Sequence, residues 1–151
     1  TGRLHDGQPR LVTFPSPSPN KANSIGVCGA RRYSTLDPTT QPLDLQMSGT
    51  PAIGKQVTMQ VRGGPAIGVR ALIAGVLPGE IPFPISSSRI LIGFQLWLMG
   101  AANAGTGGAA DIALPIPNAP VLVGESAYFQ AWALNAGPWL GSVGLEVKFC
   151  R

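Results

Sequence analysis

Charged residues and histidine are scarce in this chain. Asp, Glu, Lys and Arg make up 12% of the 151 residues, and histidine occurs once, as His5, whereas about a quarter of an ordinary soluble domain is charged. The sequence has no Gly-x-Ser-x-Gly segment, no Cys/His cluster with zinc-ligand spacing, no acidic calcium loop and no phosphate-binding loop. These absences exclude the common hydrolase triads and metal centres. We expect a non-enzymatic protein without metal or cofactor.

Long apolar runs and clusters of basic residues are also missing. A membrane-spanning helix needs about 18 or more consecutive apolar residues, and the longest candidate, residues 90–102, is interrupted by Gln95. The net charge of +4 comes from eleven basic residues spread along the chain, of which only Arg31 and Arg32 are adjacent. Because nucleic-acid sites need a concentrated basic surface, we expect neither a membrane span nor a nucleic-acid partner.

Glycine and proline are abundant instead. The chain has 20 Gly and 15 Pro, and 44% of its residues are hydrophobic. Frequent Gly and Pro favour short elements separated by turns, and a high apolar content with little charge argues against disorder. A chain of this length is long enough for one domain with a buried core.

The first 25 residues differ from the rest. Proline alternates with serine over residues 15–19, which favours an extended, semi-rigid spacer. The run just before it is β-prone but too short to form a sheet alone, so it must pair with another strand. We predict an extended Pro-rich arm over residues 1–25 and a compact domain over residues 26–151. The residues proposed to mediate assembly are Leu11, Val12, Thr13 and Phe14.

Period-two alternation of apolar and polar residues predicts strands with one wet face over residues 43–47, 55–62 and 143–149. Residues 69–74, 89–98 and 127–134 are more continuously apolar, which is typical of strands covered on both faces. A helix is the alternative for residues 89–98, but β-branched and aromatic residues and the lack of a C-cap favour a strand. We therefore predict an all-β fold: an antiparallel β-sandwich of about seven or eight strands with an extended N-terminal arm.

Cys28 and Cys150 are the only cysteines. An even count in a small, turn-rich chain predicts a disulfide; the alternatives are two buried free thiols or a bridge between two chains. The sequence starts at Thr1 without a charged and apolar leader, which fits either an exported product whose signal segment has been removed or a chain that has simply been shortened. We expect a secreted, extracellular protein.

Two further patterns suggest chemistry on the surface. Residues 105–110, Gly-Thr-Gly-Gly-Ala-Ala, match the dinucleotide-binding fingerprint, which requires a following helix to bind the pyrophosphate. Because Pro115 and Pro117 argue against that helix, we expect no cofactor there.

Any two of the seven acids could approach each other as the catalytic pair of a glycosidase, with Asp111 and Glu125 the residues to test, although acids of this kind are usually solvated surface residues. The seven acids are Asp6, Asp37, Asp44, Asp111, Glu80, Glu125 and Glu146.

The aromatic residues offer a binding alternative. Trp139 lies in a Gly- and Pro-containing segment and is the best candidate for stacking on sugar rings, with Tyr33 and Tyr128 as secondary candidates. Trp97 and Trp132 are flanked by aliphatic residues and are expected in the core.

Six short motifs follow one another in a recognisable order over residues 26–151: Gly26-Val27-Cys28-Gly29, Ser48-Gly49-Thr50-Pro51-Ala52-Ile53-Gly54, Ala113-Leu114-Pro115-Ile116-Pro117-Asn118, Leu122-Val123-Gly124, Tyr128-Phe129-Gln130-Ala131 and Ser142-Val143-Gly144-Leu145-Glu146-Val147. Their order resembles a β-sandwich module that recurs, often at the C-terminus, in large secreted proteins of environmental bacteria. The resemblance implies an exported, Gly/Pro-rich, non-catalytic domain whose function is largely undefined. The arm and the terminal Phe149-Cys150-Arg151 lie outside the shared pattern.

Three functions follow, in order of preference. The first is a self-associating structural subunit, a homo-oligomer or polymer such as a filament, whose arm adds a strand to a neighbour's sheet edge. The second is a carbohydrate- or cell-surface-binding module that uses Trp139, and the third is a hydrolase with scattered carboxylates.

Overall fold

A computed structural model describes the backbone of residues 2–3 and 11–12 and, with side chains, residues 28–33, 40–93, 95–135 and 137–151. These residues form strands and two short 3-10 turns, at Thr106–Gly108 and Pro120–Leu122, and they contain no α-helix. The strands are β1 (Gly2–Arg3), β2 (Leu11–Val12), β3 (Gly29–Tyr33), β4 (Asp44–Ser48), β5 (Gln56–Arg62), β6 (Val69–Gly75), β7 (Pro78–Pro82), β8 (Arg89–Ile92), β9 (Trp97–Asn103), β10 (Ala110–Pro115), β11 (Ser126–Leu134), β12 (Leu140–Gly141) and β13 (Gly144–Lys148).

Two antiparallel sheets build the domain. The six-stranded sheet has the order β3-β13-β11-β6-β9, with the short β12 paired to β11, and the three-stranded sheet has the order β10-β5-β4. Their inner side chains pack into one cluster, to which β4 contributes Leu45, β5 contributes Met59, and the larger sheet contributes Leu72, Phe129 and Val147. Apart from the two-residue β12, these sheets hold eight strands of five residues or more, so the predicted antiparallel sandwich is confirmed.

The alternation of apolar and polar residues correctly predicted these strands and their buried faces. Val57, Met59 and Val61 are buried on one face of β5, with Thr58 and Gln60 less buried between them. The same pattern buries Leu43 and Leu45 at β4, and Leu145, Val147 and Phe149 at the end of the chain.

A hairpin covers the outer face of the larger sheet. Strands β7 and β8 pair with each other and place Leu91 and Ile92 in buried positions. The ring of Phe83, in the loop between them, contacts Trp132 of β11 at a centroid distance of 5.3 Å. The hairpin and its loop thus form a third layer on the larger sheet, which explains why the central strands are apolar on both faces.

The strand predicted over residues 89–98 is divided into two. Strand β8 ends at Ile92 and pairs with β7, whereas β9 begins at Trp97 and pairs with β6. Gln95 between them has a φ of 70°, a left-handed conformation that an extended strand does not contain. Continuous apolarity therefore predicted strand correctly but hid a turn that transfers the chain from the hairpin to the main sheet.

Cys28 and Cys150 of one chain lie at disulfide-bonding distance, with Cα atoms 5.4 Å apart. Cys28 immediately precedes the edge strand β3, and Cys150 follows β13. The Cys150 backbone also joins the Pro51–Ile53 segment, because its N–H donates to the Pro51 carbonyl over 3.0 Å and its carbonyl accepts from the Ile53 N–H over 2.8 Å. The start and the end of the domain are thus held together.

Candidate functional site

Three of the four edges of the two sheets are protected. At the edge strand β3, Arg31 pairs with Glu146, and Arg32 pairs with Asp44 of the opposite sheet over 2.5 Å. Exposed charges of this kind discourage another chain from adding to an edge. A shallow groove of about 360 Å³ lies between β3 and β4, lined by Ala30, Arg32, Leu45, Gln46, Met47 and Leu145. The Arg32–Asp44 pair therefore protects the edges of both sheets on this side.

The edge of β10 is covered by β9. A Cβ atom added to Gly100 of β9 would lie 2.8 Å from Cγ2 of Ile112 on β10, so the two strands cross in close contact. The glycine permits this approach because it carries no side chain.

The fourth edge, β9, is apolar and exposed. Its neighbour in the described part of the chain is β6, and its other long side has no ladder partner there. Trp97, Leu98 and Met99 are 41% to 70% exposed. Leu72 pairs with Gly100 and Ile73 with Leu98, so Met99 is an extra residue in a β-bulge. Trp97, which was expected in the core, is therefore a surface residue, and that expectation was wrong because the neighbouring aliphatic residues are exposed too.

The assembly residues of the arm are only partly described. Leu11 and Val12 form β2 and pair with Arg3 and Gly2 of β1 in an antiparallel ladder. Thr13 and Phe14 lie outside the described residues, as do residues 15–27. The boundary between arm and domain at residues 25 and 26, and the role of the arm in assembly, stay predictions.

Trp139 is exposed and held by its neighbours. It is 38% exposed, and its ring lies 5.6 Å from Phe83, tilted by 40°. The Ser86 hydroxyl donates a hydrogen bond to the Trp139 carbonyl. Phe83 also contacts Trp132, which is buried as expected. The loop that carries Trp139 is thereby fixed to the hairpin, so the indole is presented on a firm support.

Tyr33 and Tyr128 pack against each other and against neighbouring strands. Their rings pack edge to face at 5.2 Å, and the Tyr33 hydroxyl donates to the Leu91 carbonyl over 2.6 Å. The Tyr33 ring lies across Gly144, where an added Cβ would be 2.5 Å from it. Burial, and then the nearby Tyr128 and Glu146, raise the pKa of Tyr33 above its usual range. Both tyrosines are therefore less suited than Trp139 to receive a sugar.

The carboxylates that are described mostly pair with arginine. Besides the two pairs at β3, Asp111 pairs with Arg62 over 2.8 Å and Glu80 with Arg89 over 2.9 Å. Glu125 is exposed just before β11, and His5, Asp6 and Asp37 lie outside the described residues. Within the described ranges, no group of three or more His, Cys, Asp or Glu is arranged to hold a metal ion. The absence of catalysis stays a prediction.

The glycine-rich segment at residues 105–110 leads into a strand. Its residues Thr106–Gly108 form a 3-10 turn, and β10 begins at Ala110. The expectation that no helix follows this segment is confirmed. Gly108 approaches the carbonyls of Gly63 and Gly64 so closely that an added Cβ would lie 2.5 Å from each. The turn therefore packs against the loop between β5 and β6.

A buried polar network was not anticipated from the sequence. Gln130 is fully buried on β11; its amide nitrogen donates to the carbonyls of Arg89 and Ser142, and its amide oxygen accepts from the Leu91 N–H over 3.0 Å. Gln41 makes matching bonds to Arg89 and Ser142. These side chains replace a backbone ladder between β8 and the main sheet. A single glutamine within an apolar strand is a weak signal, because its partners are distant in the sequence.

Arg70 is a second buried polar residue that the sequence did not reveal. It lies on β6 with no exposed surface, and its guanidinium donates to the carbonyls of Gly63, Pro65 and Ile67. Burial lowers its pKa. Its Nε has no hydrogen-bond partner among the described residues. Arg70 thus holds the loop before β6 in place from inside the domain.

Among the described residues, no helix is long and apolar enough to cross a membrane. Searches of protein-family models, curated proteins and solved structures find no match to this chain, so the resemblance to a secreted bacterial module stays a prediction.

Proposed function

We propose that this protein is an extracellular structural subunit that self-associates, with the N-terminal arm of one copy adding a strand to the sheet of the next. The observation that carries this proposal is the edge strand β9, whose Trp97, Leu98 and Met99 are exposed. An unpaired edge presents backbone donors and acceptors to which another chain can bind. Burial of these side chains in the assembly would add the hydrophobic contribution.

The contrast among the edges supports β9 as the acceptor. Arg31 and Arg32 place charges on β3, and β9 itself covers β10. Strand β9 has no charged residue along its length. Burial of an unpaired charge has a large free-energy cost. A partner strand that binds β9 does not incur this cost.

The arm provides a donor of suitable size. Four extended residues, 11–14, cover about 13 Å, and the seven residues of β9 cover about 23 Å. Residues 15–27 separate this run from Cys28 and span roughly 40 Å if they extend at about 3.1 Å per residue. Because Cys28 is at bonding distance from Cys150, the base of the arm is anchored to the domain. Disulfides persist in oxidising compartments, which supports the extracellular part of the proposal.

Deletion of residues 1–24 tests this function. We expect the full chain to form oligomers or polymers in light scattering and negative-stain microscopy, and the shortened chain to be a monomer with an unchanged circular dichroism spectrum. A synthetic peptide of residues 9–20 should inhibit growth of the full-length assemblies because it occupies the acceptor edge. A full chain that stays a 15.6 kDa monomer at all concentrations would refute the proposal.

A second candidate function is carbohydrate binding at Trp139. It is favoured by the exposure of this indole and by its firm support on Phe83, since an exposed aromatic face can stack on a sugar ring. Retention on insoluble polysaccharides should then be lost in Trp139→Ala and kept in Trp97→Ala, which removes an exposed tryptophan elsewhere. If the unaltered protein is retained on none of a panel of polysaccharides, this candidate is rejected.

A further inference from the structure

We infer that the arm of a second copy binds not only the β9 backbone but also an apolar patch around the start of β9, which selects the apolar residues of the arm. This inference rests on the self-association proposed above and names its recognition surface. The patch consists of Val76, Leu77, Leu96, Trp97, Leu98 and Met99.

All six side chains of the apolar patch are between 41% and 70% exposed. The largest apolar patches on monomeric proteins are often interaction sites. Several such residues close together therefore call for an explanation, whereas single exposed aliphatic residues do not.

Backbone contacts bring the two halves of the patch together. Trp97 pairs with Ala74 at the end of β6, and Val76 and Leu77 follow directly in the turn before β7. The Gly93 N–H donates to the Leu77 carbonyl over 2.9 Å, and a Cβ added to Gly75 would lie 3.2 Å from the Gln95 carbonyl. The turn after β6 and the segment before β9 are therefore neighbours and form one surface.

The patch and the arm match in chemistry. Residues 90–110, which include most of the patch, contain no charged residue, and residues 11–20 of the arm contain none either. Leu11, Val12 and Phe14 supply the apolar side chains that such a surface can bury. In strand addition the backbone supplies affinity, and the side chains on the acceptor surface supply specificity.

A second copy is a better source of this arm than the same chain. Cys28 lies at the start of β3, and β3 and β9 are the opposite edges of the six-stranded sheet. The chain's own arm is long enough to reach β9, four strand spacings or about 19 Å away, but its path would cross a sheet face that already carries the β7–β8 hairpin. The Pro-Ser sequence is typical of a semi-rigid, extended spacer, which favours contact with a neighbouring copy.

The test places one negative charge on the patch or on a matched surface. We compare the full chain with Leu96→Asp and Leu98→Asp, and with Ile67→Asp as control, because Ile67 is 65% exposed at the opposite end of β6. Sedimentation velocity at equal concentration measures assembly, and thermal unfolding checks the fold. On the arm, Phe14→Asp is compared with Ser16→Asp.

We expect the association constant to fall by about tenfold or more in both patch variants and in Phe14→Asp, because each buries a charge against apolar groups. The two control variants should stay within about twofold of the unaltered chain.

If deletion of the arm abolishes assembly but the patch variants assemble normally, this inference is wrong and the proposed function stands. If the full chain does not assemble, both are wrong. If Leu96→Asp assembles normally but no longer binds neutral phosphatidylcholine vesicles that the unaltered chain binds, the patch serves a lipid surface and the inference is overturned.

Discussion

The bridge between Cys28 and Cys150 should dominate the stability of this domain. The two residues are separated by 122 positions, so the bridge closes a loop that includes all strands from β3 to β13. The chain-entropy relation assigns about 5 kcal/mol to a loop of this length, through restriction of the unfolded chain. This is comparable with the entire free energy of unfolding of many small domains, about 5–15 kcal/mol.

Urea denaturation of the double variant Cys28→Ser/Cys150→Ser measures this contribution. We expect the free energy of unfolding to fall by about 4–5 kcal/mol, and the slope with urea to increase because the unfolded chain exposes more surface. The native fold should persist, since the Cys150 backbone keeps its hydrogen bonds to Pro51 and Ile53. The fluorescence of Trp132, buried in the third layer, helps to report the transition.

Unaltered protein treated with a reductant is the control, and it should match the double variant. A loss of less than about 1 kcal/mol in both samples would contradict this prediction, because it would mean that the unfolded chain is restricted by something other than the bridge.

Three further results are expected. Gln130→Leu should lower the free energy of unfolding in urea by about 1–3 kcal/mol, because it leaves the buried Leu91 N–H without an acceptor, whereas the Arg89 and Ser142 carbonyls still accept from Gln41; the exposed Gln56→Leu should change it by less than about 0.5 kcal/mol, and equal effects would contradict this prediction. Gly144→Ala should lower the thermal midpoint because the added Cβ meets the Tyr33 ring at 2.5 Å, and an unchanged midpoint would show that the ring moves freely. Burial raises the pKa of Tyr33 in the folded state, so the contribution of Tyr33 to the free energy of unfolding is complete below its unfolded pKa of about 10 and is lost as the pH rises above that value. Tyr33→Phe should therefore reduce the loss of stability at alkaline pH. An identical dependence of stability on pH in the two proteins would contradict this prediction.

The sequence predicted the sandwich because local patterns determine it. Alternation at Val57, Met59 and Val61 identifies a strand with one wet face, whereas the local pattern does not reveal the pairing of β5 with β4 and β10. The cysteine count also predicted the Cys28–Cys150 pair.

The missed features depend on the three-dimensional surroundings of each residue, which the alternation of apolar and polar residues does not report. The turn at Gln95 divides an apolar run that reads as one strand, and apolarity alone does not distinguish a buried strand from an exposed edge such as Trp97–Met99. The burial of Gln130 requires partners at Ser142 and on β8 that local patterns do not reveal. Arg70 is buried because the loop that precedes it folds back and offers its carbonyls to the guanidinium.

The proposed assembly requires a contact between the arm of one copy and β9 of another. A photo-crosslinking amino acid at Val12 in an equal mixture of unlabelled and 15N-labelled full chains tests it directly by mass spectrometry. We predict crosslinked peptides that join the arm to residues 96–99, with labelled and unlabelled halves combined at random. Crosslinks to residues 96–99 that join only halves of the same label would show that the arm binds its own domain, and would contradict the proposed assembly.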